Sequence, residues 1–307
     1  MSPSCAVVIC THTDERRPHI ERAVASVRAQ STPPDEIVLV ADHNEGLGAW
    51  ARATFPGVTV VDNPNTRGES GARNAGVAAT SSEVVAFLDD DATAADDWLG
   101  HLVSWYADPD VLGVGGSARP AWHSGRPTWF PREFDWVVGC TYRGLPERPA
   151  GVRNLMGCNM SFRRSVIVAA GGFDEGLGRT GGDALGCSET EFCIRATQLL
   201  DGRLVFDPRA SIDHHVPAGR TTWRYFVTRC RAEGRSKARM AHRTPRREPL
   251  HVERTYVTGT LTQGVVRRVG RLGRERGAVL RVATIVVGAG VTAASFALNL
   301  PTGRAAR

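Results

Sequence analysis

The chain has 307 residues, 38 Lys or Arg against 32 Asp or Glu (formal net charge +6), 42% hydrophobic residues and 33 glycines. That balance excludes a disordered or collagen-like chain and allows a sizeable core with many tight turns. Seven cysteines with no C-x-x-C pair speak against both a disulfide framework and a zinc ribbon.

The first ten residues, MSPSCAVVIC, have no basic stretch followed by a long apolar run, so no secretory signal is expected and the main domain is expected in the cytoplasm. Val7 to Cys10 reads as a buried strand, and a helix of about twelve residues ends near Gln30 before the STPP breaker. EIVLVAD predicts a second strand, Leu47 to Thr54 a short helix, VTVVD a third strand, and SGARNAGVAAT a helix opening on Ser70. EVVAFL follows as a fourth strand, ADDWLGHLVSWYA as a helix and VLGVGGSA as a fifth strand. Strands alternating with helices predict an α/β fold with a mostly parallel sheet and ligands at the carboxyl ends of its strands. Those ends carry Thr11, Asp42, Asp62 and the run Asp89, Asp90, Asp91.

Residues 119–150 are rich in Pro, Gly, Arg and aromatics and include Trp122, Trp129 and Trp136. An ordered loop region is expected there, its aromatics either stacking on a ligand, covering the sheet or packing in the core. GCNMSFRR, a helix near Ser165 to Ala170, a helix from Glu189 to Leu200 and short strands at RLVFD and ASID complete the first 219 residues. Beyond them the character changes. Arg220 to Arg281 holds 17 Lys or Arg against four Glu, so the rest of the chain carries a net −7. The expected division is therefore 1–219, with halves of about 1–118 and 119–219, and a basic helical tail 220–307. Residues 282–300 hold no charge. At 1.5 Å per residue that is about 28 Å of helix, near the hydrocarbon thickness of a bilayer. A spanning helix and a buried or interfacial one both fit, and the basic tail fits a solvated face or an anionic membrane contact.

The aspartate triplet frames the chemistry. Three like charges after an apolar run repel one another and are costly to desolvate. They are either ordinary turn acids or the ligands of a cation. A D-x-D at a strand end suits a hard ion such as Mg²⁺ or Mn²⁺, which in turn binds diphosphates. TRGESGARNAGV offers Arg67 and Arg73 to phosphates, and a histidine in PRASIDHHV offers a further ligand.

In their order, these motifs resemble the inverting nucleotide-sugar glycosyltransferases of family 2, with the GT-A fold, over roughly residues 5 to 217. The resemblance implies Thr11 and Asp42 near the base of the donor, Arg73 near base or phosphate, Asp89 and Asp90 near ribose and the metal shell, and Asp91 as metal ligand. P-x-A-x-I-x-H selects His214 as the metal-associated histidine. SETEFCIR stands where the family reads E-D-x-D-L-x-x-R, which makes Glu189 the implied general base, with Asp183 as rival. The function implied is metal-dependent transfer of a sugar, from a UDP-sugar by expectation, to a hydroxyl of a glycan, lipid-linked or small-molecule acceptor. No nucleic-acid partner is expected. The alternative is a catalytically silent scaffold of the same fold that binds glycan or membrane.

Overall fold

The computed structural model describes residues 3–177, 186–243, 251–270 and 277–300. By internal packing the chain forms two units, one of residues 1–119, 146–183 and 188–215, the other of 120–145, 184–187 and 216–307.

The first unit is built on a sheet. β1 (Cys5–Thr11), β2 (Glu36–Ala41), β3 (Thr59–Asp62) and β4 (Val84–Asp89) alternate with α1 (Arg17–Arg28), α2 (Glu45–Thr54) and α3 (Glu69–Ala78). β1, VVI-rich and buried on both faces, is a central strand. α1 carries a proline in its first turn and buries Ile20, Ala23, Val24 and Val27, a spacing that makes one apolar stripe. After β4 the chain enters β5 (Ala92–Ala94), then α4 (Trp98–Val103), β6 (Val111–Trp122), β7 (Ala150–Val152), β8 (Asn159–Arg163), α5 (Arg164–Ala169), α6 (Ser188–Leu199) and β9 (Arg203–Val216).

The strand order is β3-β2-β1-β4-β8-β6-β9-β5, with β7 also paired to β9. β3, β2, β1 and β4 are parallel, but β8 is antiparallel to β4 and β6 antiparallel to β8. The sheet is therefore mixed: β8 runs against β1–β4, whereas β6, antiparallel to β8, runs in the same direction as β4, as expected for the fifth strand, with β8 lying between the two. Apolar runs mark a strand without encoding its direction. RLVFD and ASID likewise join into one strand, β9, rather than two. Alternate residues feed two cores. Val7 and Ile9 pack with α1, α2 and α4 on one face. Val8 packs with α3, α5 and α6 on the other.

The second unit is helical. α7 (Trp223–Arg243), α8 (His251–Thr255), α9 (Thr262–Val269) and α10 (Ala278–Asn299) join residues 120–145 around Phe130, Phe134, Val138, Phe226, Leu261 and Ile285. Trp122, Trp129 and Trp136 pack against that core, so they serve packing. α7 and α10 approach closely at Gly234, where an added Cβ would lie 2.4 Å from the Thr292 carbonyl oxygen. Lys237, the only lysine, pairs with Glu233 at 3.0 Å and Glu253 at 2.7 Å. α10 is long and apolar enough to cross a membrane by length and composition, with mean hydropathy 1.8 over a window of which 22% is buried.

Candidate active site

The aspartate triplet sits in a tight connection between two strands. β4 ends at Asp89, and the chain turns through Asp90 and Asp91 straight into β5. β5 pairs antiparallel with β9, Ala92 opposite His214, and the His215 N–H donates to the Asp91 carbonyl at 2.9 Å. This ladder sets the His214 ring against the triplet. Its Nε2 lies 3.3 Å from Asp91 Oδ1 and 3.6 Å from Asp89 Oδ2. Ligand atoms of Asp89, Asp91 and His214 all fall within 4.8 Å of one another. Two carboxylates and an imidazole suit Mn²⁺ or Mg²⁺. An octahedral ion with bonds of ~2.1 Å places adjacent ligand atoms about 3 Å apart, near the spacing here, so the residues fit such an ion.

Arg16 was not anticipated. It ends a short helical turn, Asp14–Arg16, between β1 and α1, and its guanidinium contacts Asp90 and, at 3.2 Å, Asp91. Burial pushes the Asp90 carboxyl up to about 6, while Arg16 pulls it the other way. The readable signal was an arginine in the first strand-to-helix connection, on the sheet edge that carries the triplet. His19 and His215 add a ring pair with centroids 4.2 Å apart.

The remaining anticipated residues divide by what they touch. Thr11 is buried at the end of β1, and its carbonyl accepts the Asp42 N–H at 2.7 Å. Asp42 accepts from Asn63 Nδ2 at 2.7 Å and from the Gly68 N–H at 2.9 Å, which ties the loop before α3 to the end of β2. Arg67 is exposed on that loop. Arg73, on α3, is only 2% exposed. It donates to Glu69 and to the Gly157 carbonyl at 3.1 Å, and sits over the rings of Phe87 and Phe173 at 5.9 and 5.5 Å. Burial opposes its charge, but Glu69, Asp89 and Glu189 more than offset that and hold its pKa above the ordinary value. Its Nη1 is buried without a hydrogen-bond partner among the described residues. A buried charged donor of this kind is costly unless an acceptor arrives.

The first turn of α6 carries two acids with different engagements. Both Glu191 oxygens accept from Arg195, at 2.7 and 3.0 Å, and Arg195 also donates to the carbonyls of Ala170 and Gly172. Glu191 thus anchors α6 to the end of α5. Glu189 is half-buried, accepts from the Ser188 hydroxyl at 3.4 Å and acts electrostatically on Arg73. Asp183 lies outside the described residues.

Comparison with known proteins agrees with this geometry. The model of glycosyl transferase family 2 matches residues 6–169. A glucosyl-dolichyl phosphate glucuronosyltransferase of Haloferax volcanii is 37% identical over 236 residues, covering 76% of this chain and 75% of that protein. The succinoglycan biosynthesis protein ExoM of Rhizobium meliloti is 27% identical over 242 residues, covering 76% of this chain and 73% of that protein. Among solved structures, the mannosyltransferase PcManGT of Pyrobaculum calidifontis, in complex with GDP-Man and Mn²⁺, superposes with a TM-score of 0.64 at 18% identity, covering 97% of this chain and 88% of the other. Mixed sheet, flanking helices, family match and relatives agree: the chain belongs to glycosyltransferase family 2, has the GT-A fold, and is a glycosyltransferase.

Proposed function

We propose that the protein is a metal-dependent, inverting glycosyltransferase that moves a sugar from a nucleoside-diphosphate donor, a UDP-sugar by preference, to a hydroxyl of a lipid-linked or glycan acceptor. The observation that carries the reading is the juxtaposition of Asp89, Asp91 and His214 with the buried Arg73. The relative acting on glucosyl-dolichyl phosphate supports a lipid-linked acceptor.

Asp89, Asp91 and His214 would hold the divalent ion, which when bound supplies positive charge to a departing diphosphate. Arg73, fixed by Glu69 and Gly157, turns its remaining N–H toward the donor's anionic groups, and the exposed Arg67 adds a second cation. Glu189 takes the proton of the acceptor hydroxyl as its oxygen attacks C1 of the donor sugar. The C1–O bond to the diphosphate breaks with its electron pair on the diphosphate, and C1 inverts. Glu191 keeps α6, and with it Glu189, in place.

The test is nucleoside-diphosphate release from a panel of UDP-, GDP- and dTDP-sugars, UDP-glucuronate among them, with Mn²⁺, Mg²⁺ or EDTA. Metal-dependent release from one donor, lost in Asp91→Ala and strongly reduced in Glu189→Gln, supports the reading. Full turnover in EDTA, or an Asp91→Ala variant as active as wild type, overturns it.

A further inference from the structure

The second unit contains a cluster that glycosyl transfer does not use. A cavity of about 310 Å³ is lined by Phe130 and six arginines, Arg126, Arg132, Arg143, Arg267, Arg268 and Arg281. The carboxylates described there are Glu133 and Asp135, 0% and 3% exposed. Glu133 accepts from Arg268 at 2.8 and 3.0 Å and lies 3.4 Å from Arg267 and 3.6 Å from Arg143. Asp135 is gripped by both terminal nitrogens of Arg126, at 2.7 and 2.8 Å. These two acids lie behind the guanidiniums and hold Arg126 and Arg268 in fixed orientations. Arg132 and Arg143 stand toward solvent in front of them. Six guanidiniums converging on one space, against two carboxylates among the described residues, favour a multiply charged anion. Their planar forks match the oxygens of a phosphate.

The neighbours of these arginines say what carries that phosphate. Arg267 and Arg268 on α9 are flanked in the chain by Val266 and Val269, 65% and 51% exposed. Arg281 on α10 follows Val279 and Leu280, 65% and 54% exposed. Exposed aliphatics interleaved with arginines beside an anion-sized cavity make an amphipathic surface, the combination that holds a charged headgroup and its acyl chains together. We propose that this cavity binds the phosphate of an anionic membrane lipid, with α9 and the first turns of α10 lying against the lipid surface.

The inference does not rest on the proposed reaction, because its test involves neither donor nor turnover. Full-length protein is floated with vesicles of phosphatidylcholine alone and with added phosphatidic acid, for wild type, for Arg132→Glu/Arg143→Glu and for the charge-matched Arg119→Glu/Arg224→Glu, which leaves the cavity lining intact. Circular dichroism and the melting temperature check folding, and Arg132→Gln/Arg143→Gln replaces the acidic pair if that pair does not fold. Binding that requires phosphatidic acid, falls about tenfold or more in the cavity variant and is nearly kept in the control supports the site. Equal losses in both variants mean diffuse surface charge and overturn it, as does equal binding to phosphatidylcholine alone. A parallel titration of tryptophan fluorescence with inorganic pyrophosphate covers the soluble source. Saturable pyrophosphate binding without preference for phosphatidic acid vesicles overturns the lipid assignment.

Discussion

Gly157→Ala is the sharpest probe of the donor side of the site. An added Cβ there would lie 2.6 Å from Arg73 Nη2, where ordinary contact begins at 3.4 Å, so the guanidinium must retreat by about 0.8 Å. The end of a flexible side chain usually yields cheaply. Arg73 cannot, because it is 2% exposed, boxed by Phe87 and Phe173 and tied to Glu69 and the Gly157 carbonyl. A displacement near 1 Å in a positioning group costs about 10²-fold in rate, so kcat/KM for the donor should fall roughly 30- to 100-fold, equivalent to about 2–2.7 kcal/mol. Overpacking should cost about 1–3 kcal/mol of stability. The assay is steady-state kinetics beside urea unfolding, repeated in Arg73→Lys and in the double variant. If both changes act through the guanidinium, the double variant is no worse than the worse single one to within about 0.5 kcal/mol. Wild-type kcat/KM in Gly157→Ala, or fully additive losses, would refute the assignment of Arg73 to the donor.

Three further outcomes are expected. Glu189→Gln should lower kcat by about 10²–10⁴-fold with donor affinity kept, whereas Glu191→Gln should instead lower the melting temperature, since Arg195 loses its carboxylate partner; kinetics and calorimetry on both variants separate the two roles. Glu133→Gln strips Arg268 of its buried partner and should destabilise the protein by about 3–5 kcal/mol in urea titrations. Burial raises the Glu133 pKa, but the hydrogen bonds from Arg268 prevail and hold it below 4.5. Its stabilisation is therefore present above pH 4.5 and lost as pH falls through the folded value, so the gap between wild type and Glu133→Gln should shrink on acidification. Gly234→Val forces α7 away from α10 and should lower the melting temperature, the cost being about 1–3 kcal/mol.

Much of the parallel part of the sheet was legible because burial on both faces leaves an unmistakable sign, short β-branched runs between polar turns. β1, β2 and β4, and the polar residues Thr11, Asp42 and Asp89 at their ends, follow from that pattern alone. β5 was not legible: three residues, Ala92 to Ala94, are too few to show a period, and they pair only because β9 arrives from more than a hundred residues away. β8 and its antiparallel pairing with β4 and β6 escaped for a related reason, because both partners come from distant parts of the chain. Arg16 was hidden because its partners, Asp90 and Asp91, are about 75 positions distant in the chain. The tryptophans of 119–150 signalled order, but their partners, Trp223 and Phe226 on α7 and Tyr256 further on, become neighbours only on folding.

The pairing of β5 with β9 has a consequence for how the site can change. Ile212, His214 and Val216 point inward, while Asp213 and His215 point the other way, Asp213 to Arg119 and His215 to His19. A strand alternates sides with each residue, so a one-residue slip exchanges every inward group for its neighbour. Deleting or inserting a single residue in β9 ahead of His214 would offer the aspartates an outward-facing neighbour while leaving the motif letters intact. What this strand passes on is thus a reading frame as much as a histidine. Among homologous chains a change of length there should therefore be rarer than a change of residue.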